Sequence, residues 1–241
     1  MGYFFHAFIY EPIYNTLIFL YNVIPGHDFG IAIILTTILL KTLFIPLSKK
    51  QIESQKKMQE LQPKIKELQK KHKDDKEKQT RAIMDLYKEH KANPVTGCLP
   101  LIIQLVFLIA IYRVIINISQ AGFLVNPADL YAFVADPGQI SHLFLSFVDL
   151  SKPNYVFAVL SALAQYYQTK MIMGRQPVQE PKADSSEQPD FATIMNKQML
   201  YLGPGITLFI GATFPAALSV YWLVSTLFMI FQQMFILKPK A

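Results

Sequence analysis

Apolar runs about as long as a bilayer is thick alternate along this chain with polar, charged segments. The first, 29–48 (FGIAIILTTILLKTLFIPLS), would cover about 30 Å as a helix at about 1.5 Å per residue, close to the hydrocarbon thickness of a membrane. Comparable runs occupy 98–120 and 154–173. A 39-residue apolar tract, Met199–Leu237, is too long for one crossing. Gly211 and Pro215 in GATFPAAL mark a turn within it, which divides the region into spans over 198–214 and 215–237. The pattern predicts an all-α polytopic membrane protein with five transmembrane helices.

The remaining segments have patterns of their own. In 49–97, Met58, Leu61, Ile65 and Leu68 recur at spacings of 3, 4 and 3, and Ile83 and Tyr87 continue the stripe beyond Asp74–Asp75. This predicts an antiparallel helical hairpin, about 50–72 and 76–91, with a kink at Pro63 and an end at Asn93–Pro94. Residues 1–28 are aromatic and apolar but interrupted by His6, Glu11, Pro12 and Asn15. Phe5, Phe8, Ile9, Ile13, Thr16, Leu17 and Leu20 share one helical side, so the segment reads as an interfacial amphipathic helix. A sixth crossing there would put an uncharged N-terminus inside. Residues 121–153 form an outer loop, 174–197 a cytoplasmic loop and 238–241 a tail.

Composition removes the soluble alternatives: 52% of residues are hydrophobic and only 17% charged. Charge then orients the spans. The net +6 is local, because 49–92 holds fourteen Lys or Arg against eight Asp or Glu. Residues 1–28 have no Lys or Arg and 121–152 has only Lys152, whereas Lys170, Arg175, Lys182 and Lys197 precede the long tract and Lys238 and Lys240 follow it. The positive-inside rule places the N-terminus outside and the C-terminus in the cytoplasm. The basic block suits anionic lipid headgroups, acidic protein segments or RNA. No basic N-terminal region precedes a short apolar core and cleavage site, so no signal peptide is expected. The single Cys98 rules out an intrachain disulfide and a multi-cysteine metal site. The sequence offers no histidine pair at ligand spacing, phosphate-binding loop or nucleophile–base constellation. Neither an enzyme nor a cofactor nor a metal is expected.

The chemistry that remains is polar residues inside apolar runs. Lys41 stands about 9 Å from the inner end of the first span. Its side chain either snorkels to the headgroups or faces a hydrated cavity; lysine at mid-helix costs about 2.5–3.5 kcal/mol on insertion scales. Thr37 lies one turn away on the same face and the second span carries Gln104. The third repeats Ser161, Gln165 and Gln168, and the last has Ser219, Trp222, Thr226 and Gln233 at helical spacing. Singly, such residues are glue between helices. Together with a lysine, and with no Asp or Glu in any span, they predict a cationic, hydrophilic cavity open to the inside. The missing carboxylates argue against a proton-coupled transporter.

Four stretches in combination carry a resemblance: FGIAIILTTILLKTLFIPLSKKQ, LQPKIKELQKK, NPVTGCLPLIIQLVFLIAIY and FPAALSVYWLVSTLFMIFQQ. The chain resembles the YidC/Oxa family of membrane protein insertases, in its short bacterial form. The resemblance implies a groove in the inner half of the bilayer, open to cytoplasm and lipid, working without ATP hydrolysis. A cationic residue in the family's first span, usually arginine, attracts the polar end of an incoming protein; that position, five residues before Pro46, is Lys41 here. Trp222 matches a groove position, and the third-span polar position falls on Gln165 or Gln168. The implied partners are nascent membrane proteins, the ribosome, targeting factors, the Sec translocon and anionic lipids. A monomer in the bacterial cell (inner) membrane is expected. Two rival readings are a small anion transporter or channel, with a path open to both sides, and a non-translocating assembly scaffold, for which Lys41 would be dispensable and 50–91 would not.

Overall fold

The computed structural model describes residues 2–73, 75–90, 99–173 and 191–236, and they are predominantly helical. Helix α1 (Tyr3–Phe5) passes through a π-turn (His6–Tyr10) into α2 (Glu11–Val23). The widened turn directly precedes Pro12, whose ring would meet the carbonyl four residues back in an unbroken α-helix. The buried face of α2 is carried by Tyr10, Ile13, Tyr14, Leu17, Ile18 and Tyr21, whereas Phe8 is 65% exposed. Of the apolar side read from the sequence, Ile13 and Leu17 join this face and Phe8 points away from it, and hydrogen bonding explains why tyrosines complete it. The Tyr14 and Tyr21 hydroxyls accept from the Asn126 and Ser141 amides at 2.8 and 2.9 Å, so these rings bury their bodies while bonding the loop. Asn15, equally buried, donates to the Asp129 carbonyl and accepts from the Tyr131 amide.

Asp28 starts α3 (Phe29–Leu43): its Oδ1 accepts from the Ile31 amide at 2.9 Å. The apolar run 29–48 is not one straight helix. It breaks at Phe44, and α4 (Ile45–Lys71) leaves at 65° to α3. Pro46 supplies the cause. It has no amide to continue the α3 ladder and it disfavours helical backbone before it, yet it suits the first turn of a new helix. Helix α4 then continues through Pro63. Asp75 caps α5 (Lys76–Glu89), which returns along α4 with Gln79 donating to the Gln69 carbonyl at 3.0 Å and Lys64 meeting His90 at 3.0 Å. These crossed pairs make the hairpin antiparallel.

Helix α6 (Leu99–Gln120) leads into the loop 121–153, which holds a short antiparallel pair, β1 (Leu143–Phe144) and β2 (Val148–Asp149), in the register Leu143↔Asp149. Gly30 lets this hairpin seat on α3, since a Cβ there would collide with the Phe144 ring. Three further helices follow: α7 (Tyr155–Met173), α8 (Phe191–Thr213) and α9 (Ala216–Ile236). Helix α8 takes in residues 191–197, which the sequence pattern places in a loop. Gly211 allows close approach, as a Cβ would lie 2.8 Å from Ala158 Cβ and 2.9 Å from Ser219 Oγ. Among the described residues α9 is long and apolar enough to cross a membrane, and α3 with α4 qualifies only as a bent pair.

The apolar core is not spread evenly along the bundle. It gathers α2, Phe29–Ile33 of α3, Ala110–Ile118 of α6, Ala216–Tyr221 of α9, and Ile140 and Leu150 of the loop. All of these lie toward the loop end. Toward the hairpin end the core gives way to something else.

Candidate functional site

Below Ile33 the core-facing side of α3 turns polar. Thr37 and Lys41, four apart, stand on one face, and after the elbow at Phe44 the first turns of α4 bring Ser48 and Gln51 to the same place. With Phe107 of α6 and Tyr221 and Met229 of α9 these residues line an open cavity. The aliphatic wall comes from Leu40 and Leu47, and the Phe44 and Phe107 rings meet edge to face at 5.0 Å. Lys41 carries the charge of the lining. It sits in the last turn of α3, where the carbonyl end of the helix dipole favours a cation.

The polar atoms around the cavity fall into two groups. Some are satisfied by their own helix: Thr37 Oγ1 donates to the Ile33 carbonyl and Ser48 Oγ to the Phe44 carbonyl, both at 2.7 Å. Others are buried with no hydrogen-bond partner among the described residues, namely Gln51 Nε2 and Gln232 Oε1. Gln232 is tied to the site because its Nε2 donates to Ser48 Oγ at 3.4 Å. Buried amides of this kind call for ordered water or another polar group to complete them.

The remaining sequence-derived candidates lie on a neighbouring surface. Ser161 Oγ of α7 donates to the Ser219 carbonyl of α9 at 3.0 Å, and Trp222 Nε1 donates to Gln165 Oε1 at 3.3 Å. Gln168 and Thr226 are buried, and Gln233 is buried with both amide atoms unpartnered among the described residues. Thr37 and Lys41 thus line the cavity, while Ser161, Gln165, Ser219 and Trp222 join α7 to α9. The side chain of Gln104 lies outside the described residues. Of the two glutamines left open by the sequence, Gln165 is the one bonded to Trp222.

Ser48, Gln51, Tyr221 and Gln232 are members of the site that sequence reasoning missed. For the first two a signal existed. Thr37, Lys41, Phe44, Ser48 and Gln51 follow spacings of 4, 3, 4 and 3 straight through Pro46; ending the span at 48 hid the continuity. Tyr221 and Gln232 are harder to find, since α9 carries polar residues on two adjoining faces and nothing in the spacing ranks them. No group of three His, Cys, Asp or Glu is placed to hold a metal among the described residues.

Comparison of the sequence with known proteins places the chain in a family. The sequence pattern of the 60Kd inner membrane protein family matches residues 19–241. The membrane protein insertase YidC of Geotalea uraniireducens is 38% identical over 231 residues, covering 95% of this chain but 37% of that protein. Its counterpart in Fusobacterium nucleatum is 34% identical over 240 residues, covering 98% of this chain and 100% of the relative. That of Rickettsia conorii is 32% identical over 237 residues, again across 39% of the relative's length. The chain therefore spans little more than a third of the Geotalea and Rickettsia proteins and the whole of the Fusobacterium one. On these matches, which run through the cavity-bearing helices from end to end, the chain belongs to the 60Kd inner membrane protein (YidC/Oxa) family.

Proposed function

We propose that this protein is a membrane protein insertase that receives polar segments of nascent membrane proteins in the Lys41 cavity. In this reading α3, α6, α7, α8 and α9 are five spans, with the N-terminus and loop end outside and the hairpin and C-terminus in the cytoplasm of a bacterial cell. The distribution of basic residues supports that orientation. One observation carries the mechanism: apolar side chains fill the bundle at its loop end, while its hairpin end holds an open cavity whose largely apolar walls carry Lys41 together with Thr37, Ser48 and Gln51.

The physical work follows from that asymmetry. A polar tail entering from the hairpin side meets water, Lys41 and the amides of Gln51 and Gln232, so it is partly solvated well inside the membrane. Only the outer half remains to be crossed. Acidic tails gain most, from attraction to Lys41 and from a membrane potential worth about 2.3 kcal/mol per charge per 100 mV. Lysine presents a point charge rather than a planar fork, so it attracts acidic residues without selecting their geometry. The substrate's apolar segment then leaves for lipid, with each buried CH₂ contributing about 0.8 kcal/mol, and no ATP is needed. The basic hairpin α4–α5 is the surface offered to the ribosome, targeting factors, the Sec translocon or anionic lipids, and the insertase works as a monomer.

The test is insertion of a single-span protein with a short acidic N-terminal tail into proteoliposomes. Wild type and Lys41→Arg insert it, and Lys41→Ala falls toward the protein-free background. Equal insertion by all three variants removes Lys41 from the mechanism. Wild type at background removes the function.

A further inference from the structure

The β-hairpin of the loop 121–153 ends in a turn whose residues do not suit it. The Phe147 amide donates to the Phe144 carbonyl at 3.2 Å and closes the turn. Its two central residues, Leu145 and Ser146, have φ of 52° and 68°. Positive φ at both central positions makes a type I′ turn, the geometry that Asn-Gly ordinarily fills. Leucine is a poor residue there, because its Cβ crowds the backbone. The conformation is held from outside the turn: Asp28 Oδ2, at the start of α3, accepts from the Leu145 amide at 2.6 Å. Leu145 nevertheless stays 51% exposed and Phe147 75% exposed. An apolar side chain that strains its turn and remains half bare points to a use outside the chain.

The path of the hairpin shows where the turn is carried. Its open end is tied to α9, the helix that packs against α3, α6, α7 and α8. There the Leu150 and Lys152 carbonyls accept from the Ala217 and Ala216 amides at 3.2 and 2.9 Å. From α9 the hairpin runs outward between α3 and α7: Phe144 seats on Gly30, and its ring lies 6.1 Å from that of Phe157. The turn comes next along that path. Gly30 and Phe157 are the second and third residues of their helices, so the turn stands at the level where both begin. Helix α7 has nineteen residues and is about 28 Å long, which matches the ~30 Å of bilayer hydrocarbon. Its first turn therefore marks the outer boundary of the apolar layer. Charge is kept to the other end of the hairpin, where Lys152 pairs with Asp149 at 3.1 Å.

We propose that the Leu145–Phe147 turn is an anchor in the outer leaflet, with the Leu145 and Phe147 side chains among the lipid chains just below the headgroups. The partner is the lipid interface itself, with no headgroup selected. Transfer of an aliphatic chain and an aromatic ring from water to that depth is favourable, and it offsets a turn residue that the fold alone would not favour. The anchor fixes the closed end of the bundle against the bilayer. The proposal rests on α3 and α7 crossing the membrane with the loop outside.

The experiment places an environment-sensitive dye at Ser146→Cys, in the full chain with Cys98→Ser, reconstituted in dioleoylphosphatidylcholine vesicles. With the turn otherwise intact, a nitroxide high on the lipid chain quenches the dye, and iodide on both sides of the bilayer does not. Leu145→Asn gives the turn a residue that suits it, so the hairpin folds at least as well. Lipid quenching nevertheless weakens in Leu145→Asn, and with Phe147→Ser added it is lost and iodide quenches instead. A turn that serves folding alone predicts that neither substitution moves the quenching pattern, and that result overturns the proposal. Iodide quenching of the otherwise intact turn overturns it too. So does protection from both quenchers, because protein then covers the turn. A dye at Leu163→Cys, midway along α7 and 60% exposed, separates this proposal from the reading beneath it. If a nitroxide near the end of the lipid chain quenches that dye while iodide quenches the one at Ser146→Cys, α7 crosses the membrane and only the anchor falls. If lipid quenches neither dye, the crossing fails and the anchor with it.

Discussion

The closed end of the bundle depends on one buried amide, and its removal has a calculable effect. Asn15 is 3% exposed. Its Nδ2 donates to the Asp129 carbonyl at 2.8 Å and to the Glu11 carbonyl at 2.9 Å, while its Oδ1 accepts from the Tyr131 amide at 2.7 Å. Asn15→Leu keeps the volume and takes all three bonds away. Glu11 loses little, because its carbonyl remains in the helix ladder of α2. The Asp129 carbonyl and the Tyr131 amide lose their partner across the interface. A buried polar group left without a partner costs about 1–3 kcal/mol. Tyr131 is only half-buried, which favours the lower part of that range, so the two groups together cost about 2–3 kcal/mol. The loss is local, falling on how the loop grips α2. It should appear as a rise of about 30- to 150-fold in exchange of the Tyr131 amide, measured by hydrogen–deuterium exchange in detergent. Peptides from α7 and α9 should exchange as in wild type. A change of less than about threefold at Tyr131 would refute the claim that Asn15 pins the loop, and an equal increase everywhere would show the residue to matter for global folding instead.

Other expectations test the same end of the molecule. Burial pushes the Tyr14 hydroxyl up to about 12 from 10.0. An unfolded tyrosine ionises first as pH rises, so this contribution is complete below pH 10 and lost between pH 10 and about 12. It amounts to about 2.7 kcal/mol at its limit, and denaturant melts from pH 9 to 11.5 should fall less steeply for Tyr14→Phe than for wild type. Asp28 caps α3 and also accepts from the Leu145 amide at 2.6 Å; Asp28→Ala should cost about 1–3 kcal/mol in thermal unfolding, with Asp28→Asn recovering most of it. Gly211→Ala should cost about 1–3 kcal/mol through overpacking against Ala158. Adding Ala158→Gly should restore part of that loss.

What the sequence made legible was set by how strongly each feature was coupled to local chemistry. Lys41 could be found because a charge in an apolar run is rare and costly. The returning hairpin could be found because Met58, Leu61, Ile65 and Leu68 repeat at a helical period. The burial of Tyr14 and Tyr21 could not, because it depends on their hydroxyls reaching amides more than a hundred residues away, those of Asn126 and Ser141. Hydropathy ranks Phe8 above Tyr14, and the fold reverses them. The polar stripe of α9 was visible as a stripe, but its division was not. Ser219 and Trp222 turn toward α7 and Tyr221 toward the cavity, and only packing separates side chains that stand next to each other in the chain.

The elbow at Phe44 is what joins these observations. A straight helix over 29–48 would carry Thr37, Lys41, Phe44 and Ser48 along one unbroken ridge, which α9 could pack against along its length. By ending α3 at Leu43, Pro46 swings α4 away by 65° and keeps the hairpin end from closing. The same break creates a helix C-terminus, with its outward carbonyls, immediately beside Lys41. The carbonyl end of α3 thus offsets part of what burial costs the ammonium. Under the orientation proposed, one proline opens the cavity, sets a helix C-terminus beside its charge and leaves the apolar seal at the far end intact.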